Sequence, residues 1–290
     1  MTETPTPRLI LETLLPHLKV AAVYTQQIQS KITALPAKEQ SDNFFAAALT
    51  DADLSVQTFV EVALLGTFPQ IRFYGEEYEK SYNTKYFRAI DLGPEGDYLI
   101  TLDPIDGTQF YLDGHSNYQI ILSILNADDF AAVIALSPAQ GVYYYGLRGE
   151  GAFSGPLEVG LEDCCPLRIG QPNNTVLLGW RMGALADKLK EHYDVIDVKT
   201  SYSKEVQIPN LNGVLSGDLV GAVLSTGQFI DGAALAFLAR EAGYIVTTLE
   251  GTSLPPLHTC VNYQLPGLIM ASSTQVQQHL LEAVKASING

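Results

Sequence analysis

Apolar residues near the start of the chain recur at helical spacing. Leu11, Leu14, Leu15, Leu18, Ala22 and Ile28 fall on one face, which predicts a helix over 8–30 with Pro36 closing the segment. A second helix is predicted over 51–65. Thr50, Asp51 and Asp53 give it the acidic first turn that suits a positive helix end, and Gly66 and Pro69 stop it. The period then drops to two. Strands are predicted over 71–74 and 98–102, followed by a meander through 118–125, 131–136 and 142–145 with turn residues between the runs. The stretch 146–160 holds five glycines and Pro156, and it marks the expected boundary between an N-terminal α+β subdomain, 1–150, and a C-terminal α/β subdomain, 151–290. Beyond it, strands are expected over 175–178, 195–198, 244–249 and 268–270, and helices over 215–225, 232–242 and 274–286. Blocks of strand and helix without a fixed repeat point to mixed sheets covered by helices.

Composition narrows the partners more than the fold. The chain has 290 residues, 47% of them apolar and 17% charged, enough to bury a core of its own. Against 17 Lys plus Arg stand 32 Asp plus Glu, a net charge of −15. That balance argues against binding a nucleic acid polymer or an anionic membrane, and a polyanionic substrate would need added cations. Three cysteines in no metal-ligand or paired spacing fit a reducing cytoplasm. The first thirty residues lack the pattern of a secretory leader, and no apolar run is long enough to span a bilayer. The glycine-rich nucleotide loops, the zinc-protease helix and the serine-hydrolase elbow are all missing. Of five scattered histidines, four read as surface or hydrogen-bonded residues; His115, nine residues after Asp106, is a candidate to face a site, with that ordinary reading still the favoured one.

The densest chemistry is Leu102-Asp103-Pro104-Ile105-Asp106-Gly107-Thr108, at the end of a predicted strand. Two carboxylates three residues apart, with a proline between them, can turn both side chains and a backbone carbonyl toward one point, the donor set of a hard cation. Gly107 and Thr108 stand where a helical turn can start, so their N–H groups suit an anion such as phosphate. Asp-Pro and Asp-Gly are also ordinary turn formers; it is the seven residues in order that favour a site.

This segment resembles the signature of the inositol monophosphatase-like family of metal-dependent, lithium-sensitive phosphatases, which includes bisphosphate nucleotidases and fructose bisphosphatases. Three more segments follow in the family's order. Thr50-Asp51-Ala52-Asp53 is similar to its Thr-x-x-Asp element, Gly75-Glu76-Glu77 to its Gly-Glu-Glu, and Asp231-Gly232-Ala233-Ala234 with Glu241-Ala242-Gly243 to its second signature. Read alone, Glu76, Glu77 and Glu79 would be a solvated acidic loop and Asp231 a helix cap.

The resemblance implies an α/β (α+β) fold, a layered αβαβα sandwich with the pocket between its halves. It also implies two or three Mg²⁺ ions, with Mn²⁺ as a substitute, and a homodimer. Glu76, Asp103, Ile105 through its carbonyl, Asp106 and Asp231 would be the metal ligands. Glu76, Asp53 and Thr108 would be the catalytic set, with Asp53 supporting a water-activating Thr108, and Gly107, Thr108 and Ser216 would contact phosphate or substrate. The implied activity is hydrolysis of a small phosphorylated metabolite, an inositol phosphate or a related sugar or nucleotide phosphate, by in-line attack of water. Two features separate this chain from the inositol phosphatases. Ile230 replaces the tryptophan before Asp231, and the segment between Gly227 and Asp231 is short. Thr108-Gln109-Phe110-Tyr111-Leu112-Asp113-Gly114 looks more like the bisphosphate nucleotidase form, although Gln109 stands where that branch has lysine. A non-catalytic homologue that binds metal or a phosphorylated ligand is the alternative from another class.

Overall fold

Alternation along the strands gives each sheet two apolar faces, and the helices distribute themselves to cover them. A computed structural model describes residues 4–35, 43–77, 98–168 and 170–288; Pro36 and Glu79 lie outside these. The first sheet holds β1 (Arg72–Gly75), β2 (Leu99–Asp106), β3 (Gln119–Leu125), β4 (Phe130–Ser137), β5 (Val142–Leu147), β6 (Gly151–Pro156) and β7 (Cys165–Pro166), side by side in that order. β1 and β2 are parallel, and every later pair is antiparallel. Next come β8 (Thr175–Leu178), β9 (Asp194–Asp197), β10 (Gly221–Leu224), β11 (Gly227–Gln228), β12 (Ile245–Thr248), β13 (Gln264–Leu265) and β14 (Leu268–Ala271). Five of them form a second sheet in the order β12-β14-β10-β8-β9, while β11 and β13 pair as a small ribbon. The members β8, β9 and β10 run parallel.

Three apolar layers follow. Ile100, Leu102, Ile120, Leu122 and Ile134 face the helices Pro7–Ile28 and Asp51–Thr67, while Leu99, Ile121, Val133 and Ala135 face the helix Gly232–Glu241 between the sheets. That middle helix touches strands of both sheets, and its Ala233, Ala234, Ala236 and Ala239 are fully buried, so short side chains let both sheets approach it. Val176, Leu178, Val223 and Ile269 pack on the far side of the second sheet against Val276 and Leu280 of the helix Thr274–Ile288. The order of layers is αβαβα, as the resemblance implied.

Two expectations from the pattern are corrected. The helix expected over 215–225 is a short helix, Gly213–Ser216, which ends at Gly217 with φ 88°, followed by strand β10. An unbroken apolar run reads equally as buried strand or buried helix, and here sheet pairing decided it. The glycine-rich stretch 146–160 does not end the first sheet; it contains the β5–β6 turn, and the change of sheet falls between Pro166 and Thr175. Among the described residues no helix is long and apolar enough to cross a membrane.

Candidate active site

Parallel pairing of β1 and β2 brings distant acids together. Gly75 lies opposite Leu102, and the Glu76 amide donates to the Leu102 carbonyl at 3.0 Å, so Glu76 and Asp103 leave the same end of the sheet side by side. A Cβ on Gly75 would sit 2.2 Å from the Gln57 side chain, so the glycine leaves room for that buried glutamine. That glutamine in turn accepts the Glu77 amide at 2.8 Å.

Strand β2 continues through the motif, and its pairing with β3 shifts between Asp103 and Asp106. Asp103 opposes Ile121 and Asp106 opposes Gln119, so one extra residue bulges out around Pro104. Residues three apart on a regular strand face opposite sides; the bulge is what lets both carboxylates line one cavity. Proline is tolerated at that point because the ladder is already broken. The Asp103 Oδ1 atom accepts the Ile105 amide at 3.1 Å, and the Ile105 side chain packs with Ala52, Tyr111 and Tyr118.

Gly107 takes a left-handed conformation, φ 86°, and caps the short helix Thr108–Leu112. It offers no side chain to the first turn, whose N–H groups therefore stand free of a side-chain cap beside the cavity that Gly107 and Thr108 line. The Thr108 hydroxyl has two acceptors for its one proton, Ile105 O at 2.9 Å and Asp53 Oδ1 at 3.1 Å. Asp53 is fully buried and does not line the cavity. Its other oxygen closes a capping box, accepting the Thr50 amide at 2.8 Å and the Thr50 hydroxyl at 2.5 Å. It is thus a positioning residue behind Thr108 rather than one that meets substrate.

Asp231 comes from the other half of the molecule, as the N-cap of Gly232–Glu241, and accepts the Gly232 amide. Glu76, Asp103, Ile105, Asp106, Gly107, Thr108 and Asp231 all line one cavity of about 820 Å³. Asp106 and Asp231 are only partly covered at their surfaces yet lie deep in the protein. Burial, the largest cause, pushes Asp106 up to about 6 against the opposing help of Gln119 and Asn210, with Glu76 adding repulsion. Asp231 is pushed up to about 8 by burial first and then by the charges of Asp106 and Glu76. The mutual repulsion places these three acids in one field. Carboxylates and a carbonyl are hard oxygen donors, and a cluster so disfavoured when ionised is suited to a divalent cation. Among the described residues, no three acidic, imidazole or thiolate groups stand close enough to grip an ion as they are placed, so side-chain movement would accompany binding.

The structure also gathers residues that carried no signal in the sequence. Gln119 Nε2 and Asn210 Nδ2 both donate to Asp106 Oδ2, at 2.6 and 3.0 Å. Trp180 and Arg181, after β8, line the same cavity. Isolated amides and a lone aromatic have no periodicity or motif to betray them. Two candidates stand apart from the cavity lining. Ser216 is exposed, lies outside the cavity lining and donates to Asp218 at 2.6 Å, because its helix stops one residue later and turns the hydroxyl away. His115 is buried behind the site, its Nε2 at 3.0 Å from the Lys204 carbonyl and its ring against Phe110 and Tyr202.

Two sheets interleaved with three helical layers, and an acidic cavity between the halves fed by β1, β2 and the cap of the middle helix, define a layered α/β protein. Residues 11–289 match the inositol monophosphatase family, and the chain belongs to it. A putative Nus factor SuhB of Neisseria meningitidis serogroup A is 24% identical over 265 residues, covering 88% of this chain and 90% of its own. Among solved structures, the Thermotoga maritima IMPase superposes with a TM-score of 0.71 at 16% identity, over 97% of this chain and 98% of the other. An IMPase/NADP phosphatase complexed with Mg²⁺ and phosphate gives 0.67 at 18% identity, over 95% of each chain. At such identities the structural matches speak for the fold.

Proposed function

We propose that the protein is a Mg²⁺-dependent phosphomonoesterase acting on a small phosphorylated metabolite. The observation that carries this reading is the arrival of Glu76, Asp103, Asp106 and Asp231 in one cavity beside the Gly107–Thr108 turn, with Thr108 backed by Asp53. Family membership and the fold shared with a phosphatase solved with Mg²⁺ and phosphate support it. The four carboxylates and the Ile105 carbonyl would hold the metal. Bound there, Mg²⁺ supplies charge neutralisation for the phosphate and a lowered pKa for a coordinated water.

The remaining work belongs to the chain. The Gly107 and Thr108 amides bind phosphate oxygens and fix the ester for in-line displacement. Thr108 donates its hydroxyl proton toward Asp53 Oδ1, which leaves the oxygen lone pairs facing the cavity to accept from the attacking water. Arg181 is the one cationic side chain lining the cavity among the described residues, so protein cations contribute little of the charge a phosphomonoester needs.

Replacing Asp103 with Asn tests the reading. Phosphate release from inositol 1-phosphate, adenosine 3′,5′-bisphosphate and fructose 1,6-bisphosphate with Mg²⁺ is expected to fall at least a hundredfold; undiminished turnover removes the mechanism. From the family come two further expectations, inhibition by lithium and a homodimer, checked by inhibition kinetics and light scattering. A second reading, a non-catalytic binding protein, is favoured by one observation: the curated relatives at 24% and 22% identity bear the name putative Nus factor. It requires that ligand bind with Mg²⁺ while no phosphate is released.

A further inference from the structure

The two outermost helices of the first half are apolar on opposite faces. On Pro7–Ile28 the residues Leu11, Leu14, Leu18 and Ala22 enter the core, while Leu9, Thr13, Pro16, Val20, Val23 and Gln27 recur in steps of four and three along the side turned away from it. That spacing is the one by which helices form a seam with other helices. On the neighbouring Asp51–Thr67, Ser55, Thr58 and Val62 keep the same steps opposite the core residues Val56, Val60 and Leu64. Phe59 and His17 meet edge to face at 5.9 Å and join the two stripes into one surface. Among the described residues, six of the nine large apolar side chains that stand exposed lie here: Leu9, Val20, Val23, Tyr24, Phe59 and Val62. A helix apolar on both sides ordinarily has both sides covered.

The middle of this surface carries no charge, in a chain whose net charge is −15. No charged residue falls between Val20 and Ser30, and between Leu54 and Thr67 the one acid, Glu61, is buried. The cations of the first helix turn aside, Arg8 to Glu150 at 2.9 Å and Lys19 to the Val159 carbonyl. Two copies of so acidic a protein repel each other wherever acids face acids, so a face without carboxylates is where they can meet. The face offers a foreign partner no charge to recognise, and charge is what commonly singles out one partner from others. Apolar against apolar is instead self-complementary, as a two-fold contact requires. The size also fits. Helices of 22 and 17 residues, side by side, present a face of roughly 500 Å² per copy, so two copies would cover about 1,000 Å² together, the lower limit for a specific interface.

We infer that two copies of this chain associate through the outer faces of Pro7–Ile28 and Asp51–Thr67, helix pair on helix pair about a two-fold axis. None of the six exposed apolar residues lines the cavity, so the contact stands apart from any reaction there. The homodimer expected from the family fixes a number of subunits; this contact fixes a surface.

Sedimentation velocity of the full chain across micromolar concentrations is expected to show a reversible monomer–dimer equilibrium. Val20→Asp and Val62→Asp each place a carboxylate in the contact twice, once from each copy, and each should weaken association about tenfold or more. Val206→Asp is the control, since Val206 is 52% exposed, against 58% for Val20 and 51% for Val62, and lies outside both helices. It should leave association unchanged, and all three variants should melt as the parent does, because each side chain already stands in solvent. Raising the salt from about 0.01 to 0.15 M shortens the reach of charge from roughly 30 to 8 Å. The dimer should tighten, because charge only opposes it, whereas an interface built on ion pairs would loosen. A monomer at every concentration, a dimer that Val20→Asp and Val62→Asp leave intact, one that Val206→Asp weakens equally, or one that salt loosens overturns the contact.

Discussion

At Asp106 one oxygen is held and the other is left to the cavity. Gln119 and Asn210 both spend an amide proton on Oδ2, and Asn210 uses its second contact on the Asn117 carbonyl at 3.2 Å, so that oxygen is anchored from two sides. Groups that orient a metal-binding carboxylate typically change metal affinity 10- to 100-fold. Asn210→Ala is therefore expected to raise the Mg²⁺ concentration for half-maximal phosphate release about tenfold while moving the substrate KM little, as measured by Mg²⁺ titration at saturating substrate. Asp231 makes the complementary point about charge. Its carboxyl is raised from 3.8 to about 8 without metal, so its neutral form is the one the fold favours. The stability this contributes is complete below the unfolded-state value, near 4, and is lost as pH rises through about 8. In EDTA the melting temperature should fall between pH 5 and pH 9. Asp231→Asn should flatten that fall, and an unchanged slope by calorimetry would contradict it. None of this was legible one residue at a time: Asp103, Asp106 and Asp231 carry motif signals, but the amides that hold them do not.

Elements decide which motif residues meet. The capping box at the start of Asp51–Thr67 has two tasks, starting the helix and holding Asp53 with one oxygen toward Thr108. Thr50→Ala removes the cap and one of the bonds that aim Asp53. It is expected to cost about 1–2 kcal/mol in urea unfolding and to lower kcat more than it changes KM. The acid-rich helix start was plain in the sequence because capping chemistry is local. The bulge in β2 was not, since periodicity alone sets residues three apart on opposite faces, and only the register against β3 shows Asp103 and Asp106 on one side. The same limit explains β10. Its apolar run satisfies a helix or a buried strand equally, and pairing with β8 and β14 made it a strand. Ser216, implied by the resemblance, stands apart for a related reason, because its helix ends at once and the hydroxyl turns to Asp218.

Across the whole molecule the net charge is −15, and five carboxylates, Glu77 among them, line one cavity with a single lining cation among the described residues. Mg²⁺ should stabilise such a fold by mass action, by about 2.7 kcal/mol at a hundred times its Kd. The gain should be larger at pH 8 than at pH 5, where Asp106 and Asp231 hold protons that the metal must displace. Thermal melts with and without Mg²⁺ at the two pH values check this; an equal shift at both would count against a carboxylate site. The sequence by itself determined the local matters: most strands and the long helices, the layered α/β class, and the acids and small residues of four ordered segments. These follow from periodicity, capping and turn chemistry, which act within a few residues of one another. Tertiary structure alone decided the order of the strands, the bulge that turns two aspartates the same way, the arrival of Asp231 from the second half, and the placing of Trp180 and Arg181 in the same cavity. Those depend on pairing and packing between segments far apart in the chain, and a linear pattern carries no record of which surfaces will meet.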